Sequence, residues 1–193
     1  HGGQSVPNFD YGMAPGVKKA YKRLYVTNLG KMLDFLEDVE DGVERMKALE
    51  GKIEHEYGVF PCMAWDNNYA ELELAELKKI VPEAEAMKMQ DRSRKFADKE
   101  IRRKTYQAME AFIHNLNTMH SRAGAQVPFS SINYGTDTSP EGRLVMESVM
   151  LATEAGLGNG ETPIFPIQIF KVKEGVNYNP EDPNYDLFKL ACK

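Results

Sequence analysis

Apolar residues recur every three or four positions through much of the first two thirds of the chain, a spacing that predicts helices. The predicted helices cover 17–57, 69–80 and 93–121, the last closed by a glycine. Residues 83–90 are also helix-prone and are predicted as a short separate helix. Residues 1–16 are rich in glycine and proline and are predicted to be turns and irregular backbone.

The pattern then changes to that of a mixed α/β segment. Alternation of apolar and polar residues predicts a strand over 126–134, followed by a helix that Thr138 caps and that ends by Gly156. The nearly continuous apolar run over 164–170 predicts a strand buried on both faces, and a last helix is predicted over 185–192. A strand, a helix and a second strand in this order form a βαβ unit, so the two strands are predicted to be parallel.

Composition narrows the class of protein. The chain has 193 residues, of which 42% are hydrophobic, and a formal net charge of −5, which fits a globular domain and argues against a general nucleic-acid binder. No apolar run approaches the roughly 18 residues that a membrane span needs. The only cysteines are Cys62 and Cys192, which fits a reducing compartment and predicts a cytoplasmic location. No cysteine and histidine cluster has metal-ligand spacing, so no metal site is predicted within this segment.

The turn between the predicted strand and helix, residues 133–143, carries the most chemistry. Ligands of parallel α/β folds collect at the carboxyl ends of strands, and free N–H groups at a helix start can hold phosphate. The hydroxyl groups of Thr136, Thr138 and Ser139 add further donors. The alternative is that these residues only cap the helix and form the turn, and the residue pattern alone leaves both interpretations open. The glycine-rich run 156–160 lacks the lysine of a P-loop and is predicted to be a helix cap and turn.

Two long uninterrupted runs resemble one enzyme family. Residues 114–143 (HNLNTMHSRAGAQVPFSSINYGTDTSPEGR) and 156–171 (GLGNGETPIFPIQIFK) are similar to the anaerobic, class III glycyl-radical ribonucleoside-triphosphate reductases. The opening HGGQS is similar to a Gly-Gly turn in the same enzymes. The resemblance covers 110–193, extends to 1–30 and is weak over 31–105.

The resemblance implies a fold and a domain role. The chain would be a helix-rich α/β fragment of the ten-stranded α/β barrel found in glycyl-radical enzymes, with residues 1–193 forming part of the catalytic barrel domain. Residues 1–105 would be mainly helical and a candidate effector or dimer region, and 106–193 would be βαβ barrel wall. Because the chain starts at His1 and stops within a predicted helix, we expect an internal fragment.

The resemblance also implies a reaction and its partners. The family converts ribonucleoside triphosphates to deoxyribonucleotides by radical chemistry, commonly with formate as reductant, and a nucleotide effector selects the substrate. A separate radical-SAM iron–sulfur activating enzyme makes the glycyl radical, and the full-length enzyme is expected to be a homodimer. This sequence contains no glycyl-radical motif, no four-cysteine zinc motif and no loop for the thiyl cysteine. The radical and zinc are therefore expected outside this segment, no catalytic residue is assigned within it, and the fragment alone is expected to be inactive.

Residues for substrate contact are predicted from strand alternation, which points every second side chain of a barrel strand into the lumen. Ser131 and Asn133 are predicted to face the substrate, with Thr136 and Thr138 nearer its phosphates. Ser130 is a further candidate for substrate contact, but it differs from Asn133 by an odd number, so it faces the other way unless a bulge intervenes.

Two other functions are compatible with parts of the sequence. The chain could belong to a different glycyl-radical enzyme with a similar barrel, although the run 130–137 (SSINYGTD) favours the reductase. It could also be a stand-alone nucleotide-binding module, which a natural start codon just before His1 in the gene would favour. An open reading frame that extends well past both ends would remove that alternative.

Overall fold

The structure, a computed structural model, describes residues 3–37, 40–119 and 126–193. Three strands and six helices are present in the described residues, in this order: β1 (Gly3–Val6), α1 (Phe9–Glu37), α2 (Gly42–Tyr57), α3 (Tyr69–Leu77), α4 (Glu83–Thr118), β2 (Phe129–Tyr134), α5 (Pro140–Ala155), β3 (Ile167–Phe170) and α6 (Tyr185–Ala191). None of the described helices combines the length and apolarity needed to cross a bilayer.

The chain divides into two compact units, which are described separately. The helical unit comprises Gly16–Ile101, and the sheet unit comprises the residues up to Pro15 together with those from Arg102 onward. Both unit boundaries fall inside long helices, α1 and α4. The sequence-based division was placed at 105/106, near the second of these boundaries.

The sheet unit contains a three-stranded parallel sheet in the order β1-β2-β3. The connection from β2 through α5 to β3 is the predicted βαβ unit, and its parallel strands are confirmed. The strand β1 was not predicted, because residues 1–16 were expected to be irregular. It pairs with β2 along its whole length, from Gly3 opposite Phe129 to Val6 opposite Ile132.

The two faces of the sheet have different surroundings. Tyr134 and Gln168 lie on the face covered by α5, where the Tyr134 hydroxyl donates to Gln168 Oε1 at 2.6 Å. Gln168 Nε2 in turn donates to Thr153 Oγ1 of α5 at 2.6 Å. On the opposite face, which we call the open face, Ile167 and Ile169 are 52% and 46% exposed. The prediction that this strand is covered on both faces is therefore wrong for the described residues, which cover only one.

The ends of α5 follow from local sequence signals. Ser139 is the N-cap, because its Oγ accepts the Gly142 N–H at 3.1 Å, and Pro140 occupies the first turn. The prediction that Thr138 caps this helix was wrong by one residue. Gly156 caps the carboxyl end with a φ of 77°, so the predicted end of the helix is confirmed.

The long helix α4 runs without interruption where two helices were predicted. Small side chains extend its buried stripe through the polar region near residue 91, since Ala86, Ser93 and Ala97 are all fully buried. Alanine and serine contribute little to a hydrophobicity pattern, so the two halves of α4 were predicted as separate helices. The predicted end of the helix, at 120–121 with its closing glycine at 124, lies outside the described residues.

The helical unit encloses a carboxyl group within an aromatic cluster. Glu73 of α3 is 1% exposed, and its Oε1 accepts hydrogen bonds from the Tyr25 hydroxyl at 2.6 Å and from Gln90 Nε2 at 2.8 Å. Trp65 packs edge-on against Tyr25, with ring centroids 4.9 Å apart. Burial raises the pKa of Glu73 above its ordinary value of 4.5, and the hydrogen bonds from Tyr25 and Gln90 only partly oppose this shift.

The buried carboxyl predicts a pH dependence of stability. Glu73 ionises near pH 4.5 in the unfolded chain but only at higher pH in the folded state, so stability falls as the pH rises through its raised pKa. Glu73→Gln in the full-length protein removes this contribution, and we expect the melting temperature of the variant to decline less than that of the wild type as the pH rises from about 5 to about 8. Glu71→Gln, an exposed position of the same helix, is the control for thermal melts. Identical pH profiles for Glu73→Gln and wild type would contradict the prediction.

Candidate functional site

The open face of the sheet carries two of the predicted substrate contacts. The strand β2 pairs with both neighbours in continuous register, without a bulge, so Ser131 and Asn133 share one face. Ser131 is paired with Ile167, and Asn133 with Ile169, which places both polar residues on the open face beside the exposed isoleucines. The same alternation places Ser130 on the helix-covered face. The relative orientation of these side chains is as predicted, and their role in substrate binding stays a prediction.

Asn133 has an unmet hydrogen-bonding requirement. Its side-chain oxygen is buried and accepts no hydrogen bond from any described residue, and the same holds for the Ser130 hydroxyl oxygen. A buried polar atom without a partner costs about 1–3 kcal/mol, so a partner is expected when the protein is complete. At the amino-terminal end of the sheet, a cavity of about 320 Å³ brings Ser130 and Ser131 together with Ser5, Phe129 and Ile167.

A carboxylate already occupies the backbone donors of the predicted anion-binding turn. Asp10 of α1 is fully buried, and its Oδ2 accepts the N–H groups of Gly135, Thr136 and Asp137 at 3.0, 3.1 and 3.1 Å. Consecutive N–H groups in such a turn form a concave site for an anion. In this protein the anion is part of the chain, so these three N–H groups are not available to a phosphate.

The carbonyl groups of the same turn are also satisfied by side chains. Asn177 Nδ2 donates to the carbonyl of Gly135 at 2.8 Å, and Asn184 Nδ2 donates to that of Asp137 at 2.9 Å. Both asparagines are fully buried. The Tyr11 hydroxyl donates to the carbonyl of Thr136 at 3.0 Å. With donors and acceptors both engaged by distant residues, the turn after β2 is held in one conformation.

Gly135 is required by this arrangement. It has a φ of 133°, and a Cβ atom at this position would lie 2.6 Å from the carbonyl oxygen of Lys171. The Lys171 N–H donates to the carbonyl of Tyr134 at 2.7 Å, so the pairing of β2 with β3 extends to the point where the glycine lies. The close approach of the two backbones therefore excludes any larger residue without a local rearrangement.

The predicted phosphate contacts remain available only through their side chains. Thr136 is half-buried and Thr138 is exposed, and neither hydroxyl is bonded to another residue in the described part of the chain. Arg143, the cation nearest to them in sequence, is engaged elsewhere. Its guanidinium donates to Asn184 Oδ1 at 2.8 Å and forms an ion pair with Asp186 at 2.6 Å. The hydrogen bond from Arg143 is the main reason that the pKa of Asp186 is lowered.

Sequence analysis missed the side chains that hold the site together. Asp10 was overlooked because β1, whose carboxyl end leads to it, was not predicted. Asn117 near the end of α4 was also missed. Its Nδ2 donates to the carbonyl of Phe165 at 2.6 Å, and its Oδ1 accepts the N–H groups of Ile164 and Phe165. Each of these residues forms hydrogen bonds to backbone more than 40 positions away, a relationship that local patterns do not contain.

The described residues do not form a metal centre. No group of three or more histidine, cysteine, aspartate or glutamate side chains is placed to bind a metal ion within the part of the chain that the structure describes. Cys62 is buried and Cys192 is exposed, in the helical unit and the sheet unit respectively. Burial raises the pKa of the Cys62 thiol, which disfavours its reactive thiolate form. Two cysteines do not fit the four-cysteine zinc motif that the resemblance implies.

Comparison with known proteins gives consistent matches to one family. The family profile described as "Anaerobic ribonucleoside-triphosphate reductase" matches residues 1–193. The relative of that name in Escherichia coli strain K12 is 36% identical over 99 residues, which are 51% of this chain and 14% of the relative. The one in Enterobacteria phage T4 is 35% identical over 116 residues, 60% of this chain and 19% of the relative. Although the matched residues cover less than a fifth of each of these relatives, the match to the family profile covers the whole length of this chain, and the chain belongs to the anaerobic ribonucleoside-triphosphate reductase family.

Proposed function

We propose that this chain is part of the catalytic barrel of an anaerobic enzyme that reduces ribonucleoside triphosphates to deoxyribonucleotides, and that its open sheet face lines the substrate cavity. The observation that carries the proposal is the side-chain oxygen of Asn133, which is buried on that face and accepts no hydrogen bond from the described residues. Bound substrate supplies the missing donor. Family membership supports the choice of a ribonucleoside triphosphate as the ligand.

The open face has the composition of a ligand-lining wall. Ser131 and Asn133 offer hydrogen bonds, and the exposed side chains of Ile167 and Ile169 flank them. Binding sites for small molecules typically combine an apolar lining with a few placed polar groups. Radical chemistry also requires that water be excluded, and an apolar lining favours this. Thr136 and Thr138 lie past the carboxyl end of β2, where their hydroxyls are proposed to contact the substrate phosphates.

The strand order supports incorporation into a larger sheet. β1 and β3 are edge strands among the described residues, and each has one side without a pairing partner there. Free strand edges favour further pairing, and closure into a barrel satisfies them. We propose that the rest of the enzyme adds strands at both edges to complete a ten-stranded α/β barrel, in which the open face points inward.

Other parts of the enzyme are proposed to supply what this chain lacks. These are the glycyl radical, the zinc motif, the thiyl cysteine and the sites for formate and for a nucleotide effector. The activating enzyme with its iron–sulfur cluster would be a separate partner, and the full-length enzyme would be a cytoplasmic homodimer. The role of this chain is to bind and orient the nucleotide, with no catalytic residue of its own.

The experiment that tests the proposal uses the full-length protein in the absence of oxygen. It is activated by its activating enzyme with S-adenosylmethionine and then supplied with formate and each ribonucleoside triphosphate. We expect deoxyribonucleoside triphosphates to form, while the isolated 193-residue chain under the same conditions forms none. A full-length protein that carries a glycyl radical but yields no deoxynucleotide would contradict the proposal and favour another glycyl-radical enzyme.

A further inference from the structure

The lysine that follows β3 lies at the carboxyl end of the sheet and reaches across it. Lys171 is half-buried, and its Nζ donates to Asn8 Oδ1 at 2.6 Å. Asn8 lies just after β1, while Lys171 lies just after β3, and β2 is between these strands. The lysine side chain therefore crosses the carboxyl end of β2 to reach its partner, and its ammonium group lies where ligands of parallel sheets collect.

The charge of Lys171 has no carboxylate partner in the part of the chain that the structure describes. Its Nζ forms no ion pair with any carboxylate of the described residues, and its hydrogen-bond partner Asn8 is a neutral amide. Asp10, the buried carboxylate at this edge, has its Oδ2 surrounded by three backbone N–H groups instead. An ammonium group held in place by a neutral acceptor keeps its attraction for an anion.

The backbone N–H groups of the turn after β2 that Asp10 accepts cannot also bind an anion, which favours a side-chain cation for that role. Asp10 has taken the N–H groups of Gly135, Thr136 and Asp137, so these three backbone donors are not available to a phosphate. Arg143 is bound to Asn184 and Asp186 and does not serve this purpose. Of Arg143 and Lys171, only Arg143 has a carboxylate partner among the described residues, and the charge of Lys171 remains to be matched.

The position of Lys171 fits the geometry of a nucleotide on the open face. Residues on one face of a strand advance by about 6.6 Å for every two positions. Lys171 therefore follows the row of Asn133 and Ile169 by one such step towards the carboxyl end. A nucleotide with its ribose at Asn133 and its 5′ substituent directed towards the carboxyl end of the strands would bring its phosphates towards the ammonium group.

We propose that Lys171, held ready by Asn8, binds the polyphosphate of the nucleotide and sets the preference for phosphorylated substrates. The inference rests on the proposed function, since it assumes that the nucleotide lies on the open face. It assigns the main attraction for phosphate to a lysine side chain and not to the backbone of the turn after β2. The hydroxyls of Thr136 and Thr138 would then add neutral hydrogen bonds.

The test compares Lys171→Met with Lys171→Arg in the full-length enzyme. Loss of a charge-assisted hydrogen bond is expected to raise the KM and the Kd for a ribonucleoside triphosphate about 10- to 100-fold, with kcat changed much less. The Kd of the corresponding nucleoside, which has no phosphate, should stay within about 3-fold of wild type. Lys171→Arg keeps the charge and should retain most of the affinity. Lys173→Met, which removes an exposed lysine two positions away, is the matched control.

The outcomes separate this inference from the proposed function. An equal loss of affinity for nucleoside and triphosphate in Lys171→Met, or an unchanged Kd for both, overturns the role of Lys171. If Lys171→Met does not fold, Lys171→Gln takes its place, because a polar side chain retains the contact with Asn8. Failure of the wild-type enzyme to form deoxynucleotides refutes the proposed function. The Kd measurements test the binding of the polyphosphate by Lys171 and do not depend on turnover.

Discussion

Asp10→Ala in the full-length enzyme is expected to destabilise the sheet unit by about 3 kcal/mol or more, because three buried N–H groups lose their acceptor at once. Each buried group without a partner costs about 1–3 kcal/mol, and water entering the space would recover part of this. The turn after β2 then loses three of the hydrogen bonds that tie it to α1 and keeps the one from the Tyr11 hydroxyl to the Thr136 carbonyl. We expect turnover to fall with stability, since Thr136 loses the hydrogen bond from its N–H group to Asp10 and is held less firmly.

The measurement is hydrogen exchange followed by mass spectrometry on the peptides that cover the turn after β2. The amides of Gly135 and Thr136 should exchange far faster in Asp10→Ala than in wild type. Asp10→Asn is the informative comparison, because it keeps an oxygen acceptor but loses the charge, and its effect should be intermediate. Wild-type protection in Asp10→Ala would show that the carboxylate does not hold the turn.

Asn133→Ala is expected to reduce turnover by about 10- to 100-fold, as the loss of one hydrogen bond to a buried ligand predicts. Ser131→Ala, on the same face, should reduce turnover in the same direction. The glycyl-radical content, measured by electron paramagnetic resonance, should remain at the wild-type level in both variants, because neither residue takes part in activation. Ser130→Ala is the matched control, since Ser130 is the neighbouring serine on the opposite face. Wild-type turnover in both open-face variants, with an intact fold, would leave only a structural role for these residues.

The sequence predicted those parts of the fold that depend on local signals. The alternation around Ser131 and Asn133 follows from the two-residue repeat of a strand, and Gly156 ends α5 because glycine accepts its positive φ readily. Proline and hydroxyl residues at 138–140 predicted the start of α5 to within one residue. In each case the responsible contacts lie within a few positions of the residue itself.

The parts that were missed depend on contacts between distant segments. β1 has only four residues, of which the first is a glycine, and its partner in the sheet lies more than 120 positions later. Without β1 there was no reason to place Asp10 beside Gly135, and the turn was interpreted as an open anion site. The acceptor of its N–H groups was therefore sought in a ligand, although the chain itself provides it. Lys171 was missed for the same reason. Its contact with Asn8 places it across the carboxyl end of the sheet, and this contact can be recognised only when both β1 and β3 are known.

The most direct test of the proposal that the nucleotide lies on the open face is a comparison of thiol labelling at two adjacent positions. Ser131→Cys and Ser130→Cys are prepared in the full-length enzyme. Each variant is treated with a thiol reagent in the absence of oxygen, once with ribonucleoside triphosphate and once without it. Peptide mass spectrometry then measures the labelling at each position. We predict that the nucleotide slows labelling at 131 about 10-fold or more and leaves labelling at 130 unchanged. At a nucleotide concentration well above its Kd, only a small fraction of the enzyme is free of nucleotide and open to the reagent. Equal labelling at 131 with and without saturating nucleotide would contradict the assignment of the open face to the substrate.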